Sequence, residues 1–134
     1  MATDVGESAC VTVRAAMRAR HDGSGQFITV EPRLSITGAN ADEWVAIKPG
    51  TEAALALGMA RVILTQGLTP SVAERGALMD AVSSYTPEAV EQQTEVPAAT
   101  VERLAKLFAT QRPSLAVAGG IAAQSEQSVA LIAA

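Results

Sequence analysis

Cysteine occurs once, at Cys10, and histidine once, at His21, in a chain of 134 residues. One thiol cannot build a disulfide framework, and neither residue type is present in the number that a cysteine cluster or a His-rich metal site needs. His21 is followed by Asp22-Gly23-Ser24-Gly25, the composition of a solvated turn, and is assigned no role. Aromatics are also scarce, with two Phe, one Tyr and one Trp, so a core must be packed from Ala, Val, Leu and Ile. Ten basic against fourteen acidic side chains give a net charge of −4 with no basic run, which argues against a nucleic-acid surface. No apolar run approaches the ~20 residues of a membrane-spanning helix, and the start has no signal-peptide h-region. These absences predict a soluble chain, cytoplasmic by default, or periplasmic and membrane-associated if its parent is exported. Internal repeats and low-complexity tracts are absent too.

What is present suits one domain, because an apolar content of 49% is enough to bury a core. The organising stretch runs from Gln26 to Leu57. It opens on the apolar run Phe27-Ile28-Thr29-Val30, closes that run with Glu31, and continues as Pro32-Arg33. A polar turn with Gly38, Asn40 and Asp42 leads to a second short strand, Trp44 to Ile47. Lys48-Pro49-Gly50-Thr51-Glu52 then opens an Ala/Leu-rich helix to about Gln66, with Thr51 as N-cap, Glu52 in the first turn and Gly67 as the stop. Strand, acid, loop, strand and capped helix is the order in which an α/β domain presents a nucleotide at the carboxyl edge of its sheet.

Elsewhere, residues 1–8 read as a mobile terminus and Val11–Arg20 as a short amphipathic helix. Pro70 and Pro87 each stand early in the first turn of a further helix, the first running to about Ser84. A helix introduced by Val96-Pro97 runs to about Gln111, with Val101, Leu104, Ala105 and Phe108 as its apolar stripe. Residues 69–111 are thus predicted as a helical excursion over one face of a sheet. Ser114 to Ala118 is a buried-strand candidate, Gly119-Gly120 a turn, and Gln124 the start of a last helix that is still apolar at Ala134. That ending predicts a truncated chain. The whole of residues 1–134 is expected to be one α/β segment, a partial Rossmann-like three-layer αβα domain with parallel strands and flanking helices.

Individual residues carry weak signals. A carboxylate at Glu31 suits a ribose diol, yet a strand-end acid also serves simply to solvate a turn. The Gly-x-Gly-x-x-Gly loop of nicotinamide and flavin sites does not precede it. Arg33 suits an ion pair with Glu31, a hold on Asp42, or a phosphate contact. Asp42 lies among turn formers that satisfy their own backbone. At Lys48-Pro49-Gly50-Thr51-Glu52, Gly50 admits close approach of a ligand and helix-start N–H groups favour anions, while an ordinary capped helix start is the simpler reading. Gly119 and Gly120 allow a sharp turn or close ligand approach, and Gln124 is placed to read a base edge.

In this order and separation the motifs resemble the molybdopterin oxidoreductase family. Three blocks carry the resemblance, which covers the chain from about Val11 onward. They are Val30-Glu31-Pro32-Arg33 with Asn40-Ala41-Asp42-Glu43-Trp44 and Lys48 to Leu55; Tyr85-Thr86-Pro87-Glu88-Ala89-Val90 with Glu95-Val96-Pro97-Ala98; and Leu115 to Gly120 with Gln124. The variant is most similar to a respiratory branch that includes quinone reductases and alternative complex III. Two departures stand out. Most relatives have Asp where Glu31 and Glu52 stand, and a Gly where Glu95 precedes Val96.

The resemblance implies a central segment of a large subunit that contacts the guanosine part of a bis(molybdopterin guanine dinucleotide) cofactor. Glu31, Lys48, Gly50, Thr51 and Glu52 would line that site, Arg33 and Asp42 would shape it, and Gly119, Gly120 and Gln124 would approach from another side. The metal ligand, the catalytic groups and the iron–sulfur clusters would lie elsewhere in the parent, so no catalytic or metal-ligating residue is expected here. Partners implied are the remainder of the large subunit and iron–sulfur and membrane-anchor subunits. A cofactor-less scaffold subunit of a quinone-linked complex, known in parts of that branch, is the first alternative, and a free-standing nucleotide-binding module the second.

Overall fold

A computed structural model describes residues 25–69 and 75–117. Among these residues the chain is α/β, with two parallel strands and five helices. It divides into two compact units, one ending at Ala46 and one beginning at Ile47. The class and the parallel strand direction are those predicted. The helix expected over Val11–Arg20, the turn after His21, Gly119-Gly120 and the helix from Gln124 lie outside the described residues.

In the first unit, β1 (Ile28–Glu31) and β2 (Glu43–Ala46) pair in parallel with Ile28 opposite Glu43 and Glu31 opposite Ala46. Each strand is displaced by one residue from its predicted position. Phe27 is occupied at the strand mouth: its carbonyl accepts from the N–H of Asp42 (2.8 Å) and Glu43 (3.4 Å), and its own N–H donates to Asp42 Oδ2 (2.8 Å). Alternation places Thr29, Glu31, Trp44 and Ala46 on one face and Ile28, Val30, Glu43 and Val45 on the other. The Trp44 indole N–H donates to the Glu31 carbonyl at 3.1 Å, fastening the strands across the ladder.

Parallel strands cannot be joined by a tight hairpin. The crossover here contains one helical turn, α1 (Ile36–Ala39), where the sequence predicts only a polar turn. Ser35 is its N-cap in extended conformation, and the Ser35 hydroxyl accepts from Gly38 N–H at 3.1 Å.

The second unit is helical: α2 (Glu52–Thr65), α3 (Arg75–Ala81), α4 (Pro87–Thr94) and α5 (Ala98–Thr110). Gly67 ends α2 as predicted, with φ +64°, while Leu68 N–H donates to Ile63 O (3.0 Å) and Gly67 N–H to Leu64 O (3.3 Å). These two bonds are a Schellman motif. Thr86 caps α4 by accepting from Ala89 N–H at 3.2 Å, with Pro87 at the helix start and Glu88 in the first turn. Arg61 donates to the Val82 and Ser83 carbonyls and Arg75 to the Leu64 carbonyl, so two guanidinium groups tie α3 to α2.

Helices α2, α4 and α5 pack on one another around Ala53, Ala54, Leu55, Val62, Val90, Val101, Leu104 and Ala105. Val90, Val96 and Val101 are wholly buried, each such side chain stabilising by about 1.5–3 kcal/mol. The predicted stripe of α5 holds at Val101, Leu104 and Ala105, whereas Phe108 is half-buried and Ala109 completes the buried face. Small residues permit the close approach. A Cβ on Gly58 would lie 2.7 Å from Val90 Cγ2.

The strand predicted over Ser114 to Ala118 is not present at residues 114–117, which are exposed without regular structure. Leu115 and Val117 are 80% and 65% exposed. A strand exists only where its N–H and C=O groups find a ladder, and among the described residues the sheet is β1 and β2 alone. Apolar character by itself therefore overstated burial here.

Glu95 ends α4 in the left-handed conformation, φ +63°, with its N–H donating to Glu91 O at 2.8 Å. A side chain there meets the steric penalty that Gly avoids, which gives a physical reason for the Gly expected in relatives. Glu95→Gly is expected to stabilise the chain by about 0.5–1 kcal/mol, after allowing for glycine's backbone entropy. Urea unfolding of the two proteins checks this.

Candidate functional site

In the first unit, Glu31 stands at the carboxyl end of β1, as expected. Its carboxylate is engaged locally: Oε1 accepts from both the N–H and the hydroxyl of Ser35, each at 3.0 Å. Ser35 in turn holds Gly38, so Glu31, Ser35 and the first turn of α1 form one chain of hydrogen bonds. Glu31 therefore takes its hydrogen bonds from Ser35 rather than from Arg33, and Arg33 lies exposed beyond the strand end. Oε2 takes no part in that lock.

Asp42 lies at the other end of the sheet. It precedes β2 and accepts from Phe27 N–H, which precedes β1. From Phe27 to Glu31 the strand advances roughly 13 Å at ~3.3 Å per residue. Glu31 and Asp42 are thus not brought together, and the backbone group that Asp42 satisfies is that of Phe27, fifteen residues away, not one in its own turn.

In the second unit, Lys48-Pro49-Gly50-Thr51 forms a turn closed by Thr51 N–H to Lys48 O at 3.3 Å. Pro at the second position and Gly50 at φ +80° in the third match a type II turn. Thr51 occupies the N-cap position, but its hydroxyl does not cap α2; it donates to Lys48 O at 2.7 Å instead. The predicted cap is corrected in that respect. The hydroxyl tightens the turn and leaves the first turn of the helix without a side-chain cap from Thr51.

Space around Gly50 is open, with no atom within 4 Å of where a Cβ would stand, so its φ and not crowding demands glycine. Glu52 follows as the first residue of α2, and its Oε2 is buried with no hydrogen-bond partner among the described residues. A buried carboxylate oxygen without a donor is costly, and such groups are rare unless something outside the chain satisfies them. Lys48 N–H is held from behind by the carbonyl of Thr94 at 3.0 Å.

The predicted residues thus fall into two sets, with Asp42 apart from both at the other end of the sheet. Lys48, Gly50, Thr51 and Glu52 are brought together in one turn and helix start, whereas Glu31 and Arg33 share a strand end. Gly119, Gly120 and Gln124 lie outside the described residues. Ser35 and Thr94, which organise the two sets, carry no motif and were not singled out from the sequence. The signal for Ser35 was its place ahead of a short turn as an N-cap type. Among the described residues, no cluster of three or more His, Cys, Asp or Glu is placed to hold a metal, and no helix is long and apolar enough to cross a membrane.

No family model matches the chain. Curated relatives do. The chain is 35% identical over 96 residues to the menaquinone reductase molybdopterin-binding-like subunit of Nitratidesulfovibrio vulgaris, an alignment spanning 72% of this chain and 14% of that protein. It is 36% identical over 110 residues to the thiosulfate reductase molybdopterin-containing subunit of Salmonella typhimurium, spanning 78% of this chain and 14% of that protein. Among solved structures, acetylene hydratase from Pelobacter acetylenicus superposes with a TM-score of 0.78 at 25% identity, covering 91% of this chain and 18% of that one. The chain thus spans about one-seventh of the length of these curated relatives. Together with the parallel α/β fold, these matches place the chain, as a segment, in the molybdopterin-containing oxidoreductase family.

Proposed function

We propose that the chain is a segment of a molybdopterin-type oxidoreductase subunit that contacts the guanosine part of a bis(molybdopterin guanine dinucleotide) cofactor. The observation that carries this reading is the Glu52 carboxylate, whose buried Oε2 lacks a partner at the start of α2. The donor set fits the group. Guanine presents N–H donors and ribose a diol, both suited to carboxylate acceptors, while the uncrowded backbone at Gly50 admits close approach.

Lys48, Gly50, Thr51 and Glu52 would hold the guanosine. When bound, the molybdenum–pterin centre would supply the redox chemistry, and the residues of this chain bind and orient. The parent would act in respiratory electron transfer, with iron–sulfur clusters elsewhere and with iron–sulfur and membrane-anchor subunits as partners. The relatives' names support the molybdopterin part of this reading, and one of them names menaquinone.

A cofactor-less scaffold is the second reading. The commitment of Glu31 Oε1 to Ser35 favours it, as does the "molybdopterin-binding-like" description of one relative. Glu52→Ala and Glu52→Gln separate the two. In the full-length natural protein Glu52→Ala should lower the guanosine monophosphate released by acid hydrolysis about tenfold, the loss of a hydrogen bond to a charged acceptor, and Glu52→Gln, which keeps one acceptor oxygen but not the charge, should lower it less. Melting temperature should change little. Guanylate retained at the wild-type level would exclude Glu52 as a contact.

A further inference from the structure

We propose that Thr94 is a positioning residue for the Lys48–Thr51 turn, an inference that rests on the cofactor-contacting reading of that turn. Thr94 is the one buried polar side chain among the described residues, fully enclosed at the last position of α4. Its hydroxyl has two partners: it donates to Val90 O at 2.7 Å and accepts from Val96 N–H at 3.1 Å. Val96 is itself wholly buried, so its N–H depends on that hydroxyl. The carbonyl of the same residue accepts from Lys48 N–H at 3.0 Å.

One residue therefore joins the α4–α5 corner to the start of the turn. The chain reverses at Glu95 in a left-handed conformation, and α5 begins after Pro97 with Glu91 Oε2 accepting from Ala98 N–H at 3.1 Å. These bonds hold the corner rigidly on both sides of Thr94. Lys48 O, in turn, accepts from both Thr51 N–H and the Thr51 hydroxyl. The orientation of the Lys48 peptide is thus set at its N–H by Thr94 and at its C=O by Thr51. Removing the Thr94 hydroxyl strands a buried N–H at Val96, and the corner must reorganise to satisfy it, which releases the carbonyl that holds Lys48.

The test compares Thr94→Val, Thr94→Ser and Val90→Ala in the full-length natural protein by amide hydrogen exchange and by released guanylate. Val90→Ala weakens the same helix without touching the hydroxyl, and Thr94→Ser keeps the hydroxyl. Thr94→Val is expected to speed exchange at Lys48 and Val96 about tenfold or more relative to Val90→Ala, and to lower bound guanylate severalfold. Thr94→Ser should restore both. Exchange at Lys48 in Thr94→Val no faster than in Val90→Ala, or guanylate retained in full, would overturn the role. A wild-type protein without guanylate would instead overturn the cofactor reading, and the exchange comparison would still decide whether Thr94 holds the turn.

Discussion

Replacing Gly58 by leucine is expected to destabilise the chain by up to about 2 kcal/mol, the largest stability effect anticipated for any position in the helical unit. A single Cβ at Gly58 would already lie 2.7 Å from Val90 Cγ2 and 3.4 Å from two further Val90 carbons. Val90 is wholly buried, and as a β-branched residue in a helix it has one strongly preferred rotamer, so it cannot turn aside. The helices would have to separate, reopening the contact at Val90. Overpacking of this kind costs roughly 1–3 kcal/mol or more, against a helix-propensity gain of about 1 kcal/mol from losing glycine. Gly58→Ala should show the same sign at smaller magnitude. Urea denaturation with matched m-values measures both, and a leucine variant as stable as the parent would mean that α2 and α4 do not meet at Gly58.

A second large effect is expected at Gly38. An added Cβ would fall 2.1 Å from Glu31 Oε1 and 3.0 Å from Leu34 Cδ1. The carboxylate sits at the end of a flexible side chain and can swing away, but only by giving up both hydrogen bonds from Ser35. Gly38→Ala should therefore cost ~2 kcal/mol, the scale set by hydrogen bonds to a charged acceptor. Glu31→Gln, whose amide oxygen can accept the same two bonds, should cost less than about 1 kcal/mol. Exchange at Ser35 N–H offers a local reading of the same event. A Gly38→Ala protein with Ser35 still protected would show that Glu31 is not held as described.

Much of the helical unit was legible because its punctuation is chemical. Pro87 after a Thr, Gly67 after an apolar run and the α5 stripe each point to one local geometry, and each appears where expected. The parallel strands were legible to within one residue. Their shift traces to the Phe27–Asp42 clamp, a contact between residues fifteen apart in sequence that local patterning cannot reveal. Helix α1 was missed because four residues are too few to show a 3.6-residue period.

The candidate site was less legible than the fold. Residue types identified Glu31, Thr51 and Glu52, but not how their polar atoms are spent: Glu31 on Ser35, Thr51 on Lys48, and Glu52 with one oxygen left over. Such choices depend on which donors the folded chain brings within reach. Thr94 shows the same limit from the other side. In sequence it is one Thr near a helix end, and only enclosure by α4 and α5 gives its hydroxyl and carbonyl their roles.

We propose contact between this segment and a guanine nucleotide belonging to a pterin–metal cofactor. It is tested most directly by acid hydrolysis of the native full-length protein, with guanosine monophosphate and molybdenum or tungsten measured on the same sample. About two guanylates and one metal are expected for each subunit, the composition of a bis(pterin guanine dinucleotide) centre. Neither metal nor guanylate in a folded, native preparation would contradict it and leave a scaffold, with the Glu31 carboxylate serving only to hold Ser35.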